Sequence, residues 1–221
     1  MTDIIVARDL GKDVLSGTST LTILSGLQFQ VGDGESVAIV GRSGSGKTTL
    51  LSLLAGLDVP TRGDVELAGQ SLNALDEDGR AAFRAGRVGF VFQSFQLLAS
   101  LTALENVMLP AELAGRDDAR QRATAALTRV GLSQRTQHYP YQLSGGEQQR
   151  VAIARAFAGG PKILFADEPT GNLDTTTGAE IIELLFGLNR DQGATLVMVT
   201  HDTDLAARCS RVLTLEGGKL R

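Results

Sequence analysis

Four short apolar runs, rich in β-branched residues, form the strongest pattern of hydrophobic and polar positions along the chain. They are SVAIVG at 36–41, VGFVFQ at 88–93, KILFAD at 162–167 and TLVMVT at 195–200. Nearly every position in each run is apolar, which is typical of strands buried on both faces of a sheet. Because the runs alternate with helix-length patterns, the sequence predicts the α/β class with a mostly parallel core sheet.

Two other patterns accompany these core strands. Residues 2–10, 22–31 and 63–68 indicate more exposed strands, which predicts a flanking antiparallel sheet. The stretch 95–143 contains helix-length patterns such as LTALENVMLPAEL and ARQRATAALTRVGL, without a strong strand pattern. It is therefore predicted to be an inserted α-helical subdomain.

The length and composition suit a chain with one good core. The chain has 221 residues, of which 43% are hydrophobic, so an α/β domain with an inserted subdomain can bury enough apolar surface to fold. We expect a single domain over 1–221, with its core at about 1–94 and 159–221 and its helical subdomain at about 95–158.

The net charge and the cysteine content limit which kinds of partner the chain can bind and in which cellular compartment it works. The net charge of -4 argues against a protein that coats nucleic acid, since phosphate-backbone binding needs a basic face. Cys209 is the single cysteine, and no basic and apolar leader precedes IIVARDL, so we expect a reducing cytoplasm. No apolar stretch approaches the roughly 20 residues that cross a bilayer. Any membrane work is therefore expected to go through a partner.

The stretch GRSGSGKT at 41–48 matches the P-loop pattern and lies between a predicted strand and the helix-like KTTLLSLLAG. In this context backbone amides turn inward on phosphates, Lys47 reaches the β and γ phosphates, and the Thr48 hydroxyl ligates magnesium. The alternative is a glycine-rich turn that binds nothing, which the lysine and threonine in a strand-to-helix context make improbable. The predicted nucleotide-binding residues here are Gly41, Arg42, Ser43, Gly44, Ser45, Gly46, Lys47, Thr48 and Thr49.

Each predicted core strand is followed at once by a group that phosphate chemistry can use. These groups are Gly41, Gln93, the pair Asp167 and Glu168, and His201. Ligands of open α/β sheets lie beyond the carboxyl ends of the strands, so we expect these groups to converge on one site. Each also has a structural reading: the two acids could cap the next helix, Gln93 could be a solvated strand end, and His201 could be structural.

Charge suggests a role for each of these side chains. Asp167 suits a carboxylate that holds magnesium, so the predicted metal site comprises Thr48, Gln93 and Asp167. Glu168 is then free to polarise the attacking water. His201 could bind the γ-phosphate or hold the water and Glu168 in place, and Gln93 could sense metal and nucleotide. The predicted catalytic residues are thus Glu168, His201 and Gln93.

The stretch LSGGEQQRVAIARA at 143–156 predicts a second helix start that faces an anion. Ser144 can cap the helix, Glu147 completes the capping box, and Gly145 and Gly146 leave the first amides uncovered. Taken alone, the pattern equally predicts an ordinary helix start, because capping boxes are common.

GRSGSGKT, FVFQ, LSGGEQQR, ILFADE, GNLD and VTHD occur here in one fixed order. In that order the whole chain resembles the ATP-binding subunit of an ABC transporter. Within that superfamily, the stretches around FVFQ and LSGGEQQR resemble the lipoprotein-release and macrolide-export group, to which FtsE-like and YbbA-type subunits are similar.

The resemblance implies a P-loop NTPase core and a Mg²⁺-dependent ATPase that works as a homodimer packed head to tail. The signature residues Ser144, Gly145, Gly146 and Glu147 of one copy would cap the ATP on the P-loop of the other, and Asp174 would lie at the same interface. Loops of a transmembrane permease would dock near residues 94–107, which puts the chain at the inner face of the membrane. Leu101, Leu104 and Met108 share a helical face there and are better explained as core.

Two other kinds of ABC ATPase remain alternatives. One is a soluble ATPase that acts with cytosolic partners. The other is a DNA-repair or translation ATPase, which is disfavoured because the chain lacks a long coiled-coil insertion and tandem ATP-binding domains.

One departure from the family pattern concerns the adenine. A tyrosine is typical where LGKDVLSG at 10–17 has Val14, with Leu15 beside it, and the chain has no tryptophan and no tyrosine before Tyr139. We therefore expect this chain to bind ATP more weakly than relatives that have the aromatic residue, and to discriminate poorly between ATP and GTP. Either Val14 or Leu15 is expected to contact the base.

Overall fold

The computed structural model describes residues 2–17 and 19–221, which form two compact units. The first unit ends at Arg84 and resumes over Thr195–Arg221, and the second is Ala85–Ala194. The chain combines strands and helices, with the P-loop between a strand and a helix, which confirms the predicted α/β fold class. The bounds of the predicted helical subdomain remain a prediction.

The first unit contains most of the strands. Its elements are β1 (Asp3–Ser16), β2 (Ser19–Gly32), β3 (Ser36–Val40), α1 (Lys47–Leu54), β4 (Arg62–Leu67), β5 (Gln70–Ser71), α2 (Glu77–Arg84), β8 (Thr195–Val199), α7 (Thr203–Ala206), β9 (Arg211–Glu216) and β10 (Lys219–Leu220).

The predicted flanking sheet is antiparallel, with strand order β2-β1-β4-β5. Strands β1 and β2 extend to Ser16 and from Ser19, well beyond the predicted stretches, because they continue as a hairpin past the buried part of the sheet. Register shifts interrupt their pairing, as β-bulges do.

Strand β3 lies between β8 and β9 and is parallel to both, while β10 pairs antiparallel with β9. Val37, Ala38 and Ile39 are fully buried, as the apolar run predicted. Both neighbours of β3 come from the far end of the chain. At the start of β3, Ser36 accepts two hydrogen bonds from Ser210, which precedes β9: the Ser210 N–H donates to Ser36 Oγ at 2.9 Å and the Ser210 hydroxyl donates to Ser36 O at 2.7 Å.

The second unit is mainly helical. Its elements are β6 (Val88–Phe92), α3 (Ala103–Leu113), α4 (Ala119–Arg129), a 3₁₀ turn (Pro140–Gln142), α5 (Gly145–Ala158), β7 (Ile163–Asp167) and α6 (Thr175–Gln192). Strands β6 and β7 are parallel, and α5 packs against β6, α3, α4 and α6. Leu104 is buried in this core, as the structural reading of the Leu101, Leu104 and Met108 face predicted. Leu101 and Met108 are half-buried, and Leu101 precedes α3, so the three residues do not share one helical face. Among the described residues, no helix combines the length and apolar content that a membrane crossing requires.

Helix α5 begins with a complete capping box. The Ser144 hydroxyl accepts a hydrogen bond from the Glu147 backbone N–H at 3.2 Å, and the Glu147 carboxylate accepts one from the Ser144 N–H at 2.9 Å. Arg135 Nε also lies 3.1 Å from the Glu147 carboxylate. The Ser144 N–H, and secondarily Arg135, hold the pKa of Glu147 below its ordinary value despite partial burial.

A depressed carboxylate pKa makes the stability of this helix start dependent on pH. The stabilisation is complete above the ordinary glutamate pKa of about 4.3 and is lost as pH falls through the lower folded value. Glu147→Gln should therefore reduce the free energy of unfolding by about 0.3 to 1 kcal/mol at neutral pH, and by almost nothing once the carboxylate is protonated. Urea denaturation of both proteins across this pH range measures the difference. Glu180→Gln, an exposed residue of α6, is the matched control. A difference that stays constant on acidification would contradict the pKa shift.

Candidate functional site

The loop from Gly41 to Gly46 connects β3 to α1 and is held in a conformation that needs glycine. Gly46 has φ 97°, and a Cβ atom there would stand 2.8 Å from Leu24 Cδ2. Gly46 is also the N-cap of α1, without any side-chain cap, and the first helical turn has no acidic residue. No side chain therefore caps the first backbone N–H groups of α1, and the start of a helix is where an anion binds.

Two side chains of this loop fit a phosphate group. Lys47 is only 7% exposed, and its Nζ donates to Gly41 O at 2.9 Å and Arg42 O at 3.2 Å, which arches the side chain over the loop. The buried Ser45 hydroxyl has no hydrogen-bond partner in the described part of the chain. A buried hydroxyl without a partner is costly, so an anion in the loop would remove that cost. The amides, the ammonium group and the hydroxyl together form an anion cradle over residues 41–48.

His201 leaves the sheet beside the anion cradle. Strands β3 and β8 are parallel neighbours, with Ile39 opposite Val199, so the segments that follow them emerge at the same edge. His201 is exposed there. The Thr200 hydroxyl accepts a hydrogen bond from the Asp202 N–H at 3.0 Å, which fixes the turn that carries the histidine.

The second unit repeats this arrangement with acidic and amide groups. Phe92 of β6 is opposite Asp167 of β7, so Gln93 and Glu168 follow adjacent strands at one edge. Asp167 and Glu168 are half-buried, and neither caps a helix, because Asp174 is the N-cap of α6. The capping alternative for these two acids is therefore wrong.

Glu168 has a left-handed backbone, with φ 43°. This conformation costs a residue other than glycine about 1 to 2 kcal/mol, and its carbonyl accepts a hydrogen bond from the Gly171 N–H at 3.0 Å. Such conformations are concentrated at functional sites, where the surrounding structure holds them. The left-handed backbone thus fixes the direction in which the Cα–Cβ bond of Glu168 leaves the chain.

Gln93 is bound to the GNLD segment rather than solvated. Its Nε2 lies 3.3 Å from Asn172 Oδ1, and Asn172 Nδ2 donates to Gln93 O at 3.0 Å. Gly171 lies so close that a Cβ atom there would stand 2.7 Å from Gln93 Nε2. Sequence reasoning missed Asn172, whose only indication was its place in GNLD.

The start of α5 and the start of α6 are in contact. A Cβ atom on Gly146 would meet Thr177 Cγ2 at 2.6 Å. Asp174 caps α6 by accepting a hydrogen bond from the Thr177 N–H at 3.0 Å, which lowers the pKa of its carboxylate. The buried amide of Gln149, which the sequence did not single out, donates to Pro169 O. The signature residues and the segment after β7 are thus joined within one unit.

The described residues include no cluster of three or more His, Cys, Asp or Glu side chains that could hold a metal ion. Mg²⁺ is usually held by one or two protein side chains together with phosphate oxygens and water. A hydroxyl such as that of Thr48 and a carboxylate such as that of Asp167 are the oxygen ligands it prefers. The predicted donors therefore suit magnesium bound with a nucleotide.

The β1–β2 hairpin places Val14 directly opposite Leu21. Directly paired residues point to the same face, so they form an aliphatic pair, while Leu15 points to the other face. The exposed fractions are 38% for Val14, 52% for Leu21 and 85% for Leu15. No aromatic side chain stands at these three positions.

Comparisons with known proteins agree with these observations. Residues 24–171 match the family model described as ABC transporter. YbbA of Escherichia coli K12, an uncharacterised ABC transporter ATP-binding protein, is 57% identical over 221 residues, covering 99% of this chain and 97% of its own. The lipoprotein-releasing system ATP-binding protein LolD of Pseudomonas fluorescens is 51% identical over 220 residues, covering 98% and 96%.

A solved structure extends the similarity to three dimensions. The ATP-binding cassette MJ0796, in a dimeric post-hydrolysis state bound to ADP and phosphate, superposes with a TM-score of 0.91 at 41% identity, covering 98% of this chain and 96% of its own. The resemblance inferred from the ordered motifs is thereby confirmed. The chain belongs to the ABC transporter family, as one of its ATP-binding proteins.

Proposed function

We propose that the chain is an ATP-hydrolysing subunit that dimerises head to tail around two ATP molecules and drives a separate transmembrane permease. The observation that carries the proposal is the anion cradle of residues 41–48, with its helix start at Gly46, its buried lysine and a Ser45 hydroxyl that has no hydrogen-bond partner among the described residues. The dimeric relative bound to ADP and phosphate supports both hydrolysis and dimerisation.

The side chains divide the work of hydrolysis. The loop amides and Lys47 bind the phosphates, and Thr48, Asp167 and Gln93 hold Mg²⁺. Bound magnesium neutralises charge on the phosphate oxygens. Glu168 accepts a proton from the attacking water, and His201 orients that water or the γ-phosphate.

Dimerisation follows from the number of sites in each chain. One copy has one anion cradle and one signature helix start, and Ser144 is exposed at that start. We assign Ser144, Gly145, Gly146 and Glu147 to the nucleotide of the second copy, with Asp174 at the same interface. The γ-phosphate then interacts with both copies, so its loss on hydrolysis removes the charge that holds them together.

The permease is proposed to dock near residues 94–107, where Ser94, Gln96 and Leu98 are exposed. Because the relative LolD is the ATP-binding protein of a lipoprotein-releasing system, export or extraction of a lipid-linked cargo is the favoured work of the complex. Docking would place the chain at the inner face of the cell membrane.

Glu168→Gln is expected to retain ATP binding and lower turnover by roughly 10²- to 10⁴-fold, because an amide cannot accept a proton from water. ATP with Mg²⁺ should then hold a stable dimer, which size-exclusion chromatography detects. Glu180→Gln, the same change at an exposed position of α6, should leave turnover within about twofold of the wild type. Wild-type turnover in Glu168→Gln would remove Glu168 from this role.

Two inactive variants should complement each other if the signature acts in trans. Lys47→Ala weakens ATP binding itself, whereas Ser144→Arg leaves monomer binding nearly intact and blocks hydrolysis at the partner's nucleotide. Mixing them produces dimers in which one site has both a sound P-loop and a sound signature. ATPase activity of the mixture, compared with each variant alone, measures the effect. Mixed dimers that form and remain inactive would argue against the assignment.

Val14→Tyr is expected to tighten ATP binding and favour ATP over GTP, because base–aromatic stacking contributes about 1 to 3 kcal/mol per base. Calorimetry with both nucleotides on the wild type and the variant measures this. Leu15→Tyr, on the other face of the hairpin, is the matched control. A change in ATP affinity below about twofold, roughly 0.5 kcal/mol, would show that the base does not stack at position 14.

A further inference from the structure

The loop that follows Gln93 contains two consecutive residues with left-handed backbones. Phe95 has φ 60° and Gln96 has φ 48°. Neither is glycine, so each conformation is disfavoured and two in succession require an external hold. The loop's own turn contributes two backbone hydrogen bonds, from Phe95 N–H to Phe92 O at 3.3 Å and from Gln96 N–H to Ser94 O at 2.6 Å, and neither of them binds the carbonyl of Phe95 or Gln96.

The hold comes from Arg155, on helix α5. Its Nη2 donates to Phe95 O at 2.8 Å, and its Nη1 donates to Gln96 O. One planar guanidinium therefore binds the carbonyls of both left-handed residues, each through a different nitrogen of its fixed fork. Arg155 is largely buried, and this burial lowers its pKa. Its guanidinium group binds the loop carbonyls rather than solvent.

A second polar side chain holds the other end of the same loop. Asn106 of α3 is 1% exposed. Its Oδ1 accepts from Leu98 N–H at 2.8 Å, and its Nδ2 donates to the carbonyls of Leu98, Leu101 and Thr102 at 3.0 to 3.1 Å. The loop from Phe95 to Thr102 is thus fixed to α5 at one end and to α3 at the other.

Helix α5 also starts at the signature. Arg155 follows Ser144 by eleven residues, about 16 Å along the helix axis. Gln93, just before the left-handed pair, is bound to Asn172 in the segment that leads to Asp174. Gln93, the exposed loop and the signature helix are therefore linked by hydrogen bonds within one unit.

We propose that Arg155 is a positioning residue that makes the loop after Gln93 and the signature helix move as one body. The proposal rests on the function proposed above, since it gives the link between permease docking at this loop and presentation of Ser144 to the partner's nucleotide. Without the guanidinium, Phe95 and Gln96 relax toward right-handed conformations. Their carbonyls then turn away, and the loop after Gln93 loses its attachment to α5.

The first test measures the loop and needs no activity. Amide hydrogen exchange of the peptide covering residues 93–102 should become at least about tenfold faster in Arg155→Ala, the change expected from losing two charge-assisted hydrogen bonds. Arg155→Lys keeps the charge and one contact and should give an intermediate rate in a folded protein. Arg150→Ala is the control, because Arg150 lies on the same helix and binds Val130 O and Glu180 instead. Unchanged exchange in Arg155→Ala and Arg155→Lys overturns the proposal.

The second test asks whether the loop conformation matters to hydrolysis. Arg155→Ala should lower kcat about tenfold and leave the Kd for ATP within about twofold, because the anion cradle is untouched. Adding Gln96→Gly should recover about fivefold of kcat, because glycine adopts the left-handed conformation without the steric penalty. Adding Ser94→Gly should recover nothing, since Ser94 has no left-handed backbone.

The outcomes separate the two proposals. If the wild type hydrolyses no ATP, the proposed function fails, while the exchange rates still decide whether Arg155 holds the loop. If Arg155→Ala speeds exchange but kcat is unchanged, or if Ser94→Gly rescues as well as Gln96→Gly, Arg155 is a structural residue only and the positioning role is overturned.

Discussion

Matched parallel register determines which side chains stand together in this protein. Ile39 pairs with Val199 in one unit, and Phe92 pairs with Asp167 in the other. Each pairing brings the ends of two strands to the same edge, and the residues immediately beyond those ends are the ones to which we assign the chemistry. A slip of one residue would turn alternate side chains to the opposite face and offset the strand ends. The pairing of these apolar strands is thus the basis of the candidate site as well as of the core.

The sequence predicted the parts of the fold that depend on composition and local pattern. The four apolar runs became strands, of which β3, β7 and β8 are largely buried and β6 is buried only at alternate positions. GRSGSGKT formed the strand-to-helix loop, and S-x-x-E at Ser144 formed a capping box. The sequence did not predict the left-handed backbones of Phe95, Gln96 and Glu168, because glycine is the residue whose presence usually indicates that conformation. It also gave no sign of Arg155, whose partners lie 59 and 60 residues away and are backbone carbonyls that any residue has.

The start of α5 shows how one hydroxyl can serve stability and binding together. Ser144 accepts the Glu147 N–H through an oxygen lone pair, which leaves its own proton to donate. Capping therefore consumes an acceptor, whereas binding a phosphate oxygen requires a donor. The two uses do not compete, so the same serine can order the helix in the free chain and bind an anion in the proposed dimer.

The position of β3 has a consequence for synthesis on the ribosome. Both of its neighbours, β8 and β9, come from the last part of the chain, beginning at Thr195 and Arg211. At about 5 to 20 residues per second, roughly 10 to 30 s pass between translation of β3 and translation of the strands that cover it. During that time the apolar stretch at 37–40 has no partner strand. We therefore expect it to be a binding site for chaperones that act on nascent chains.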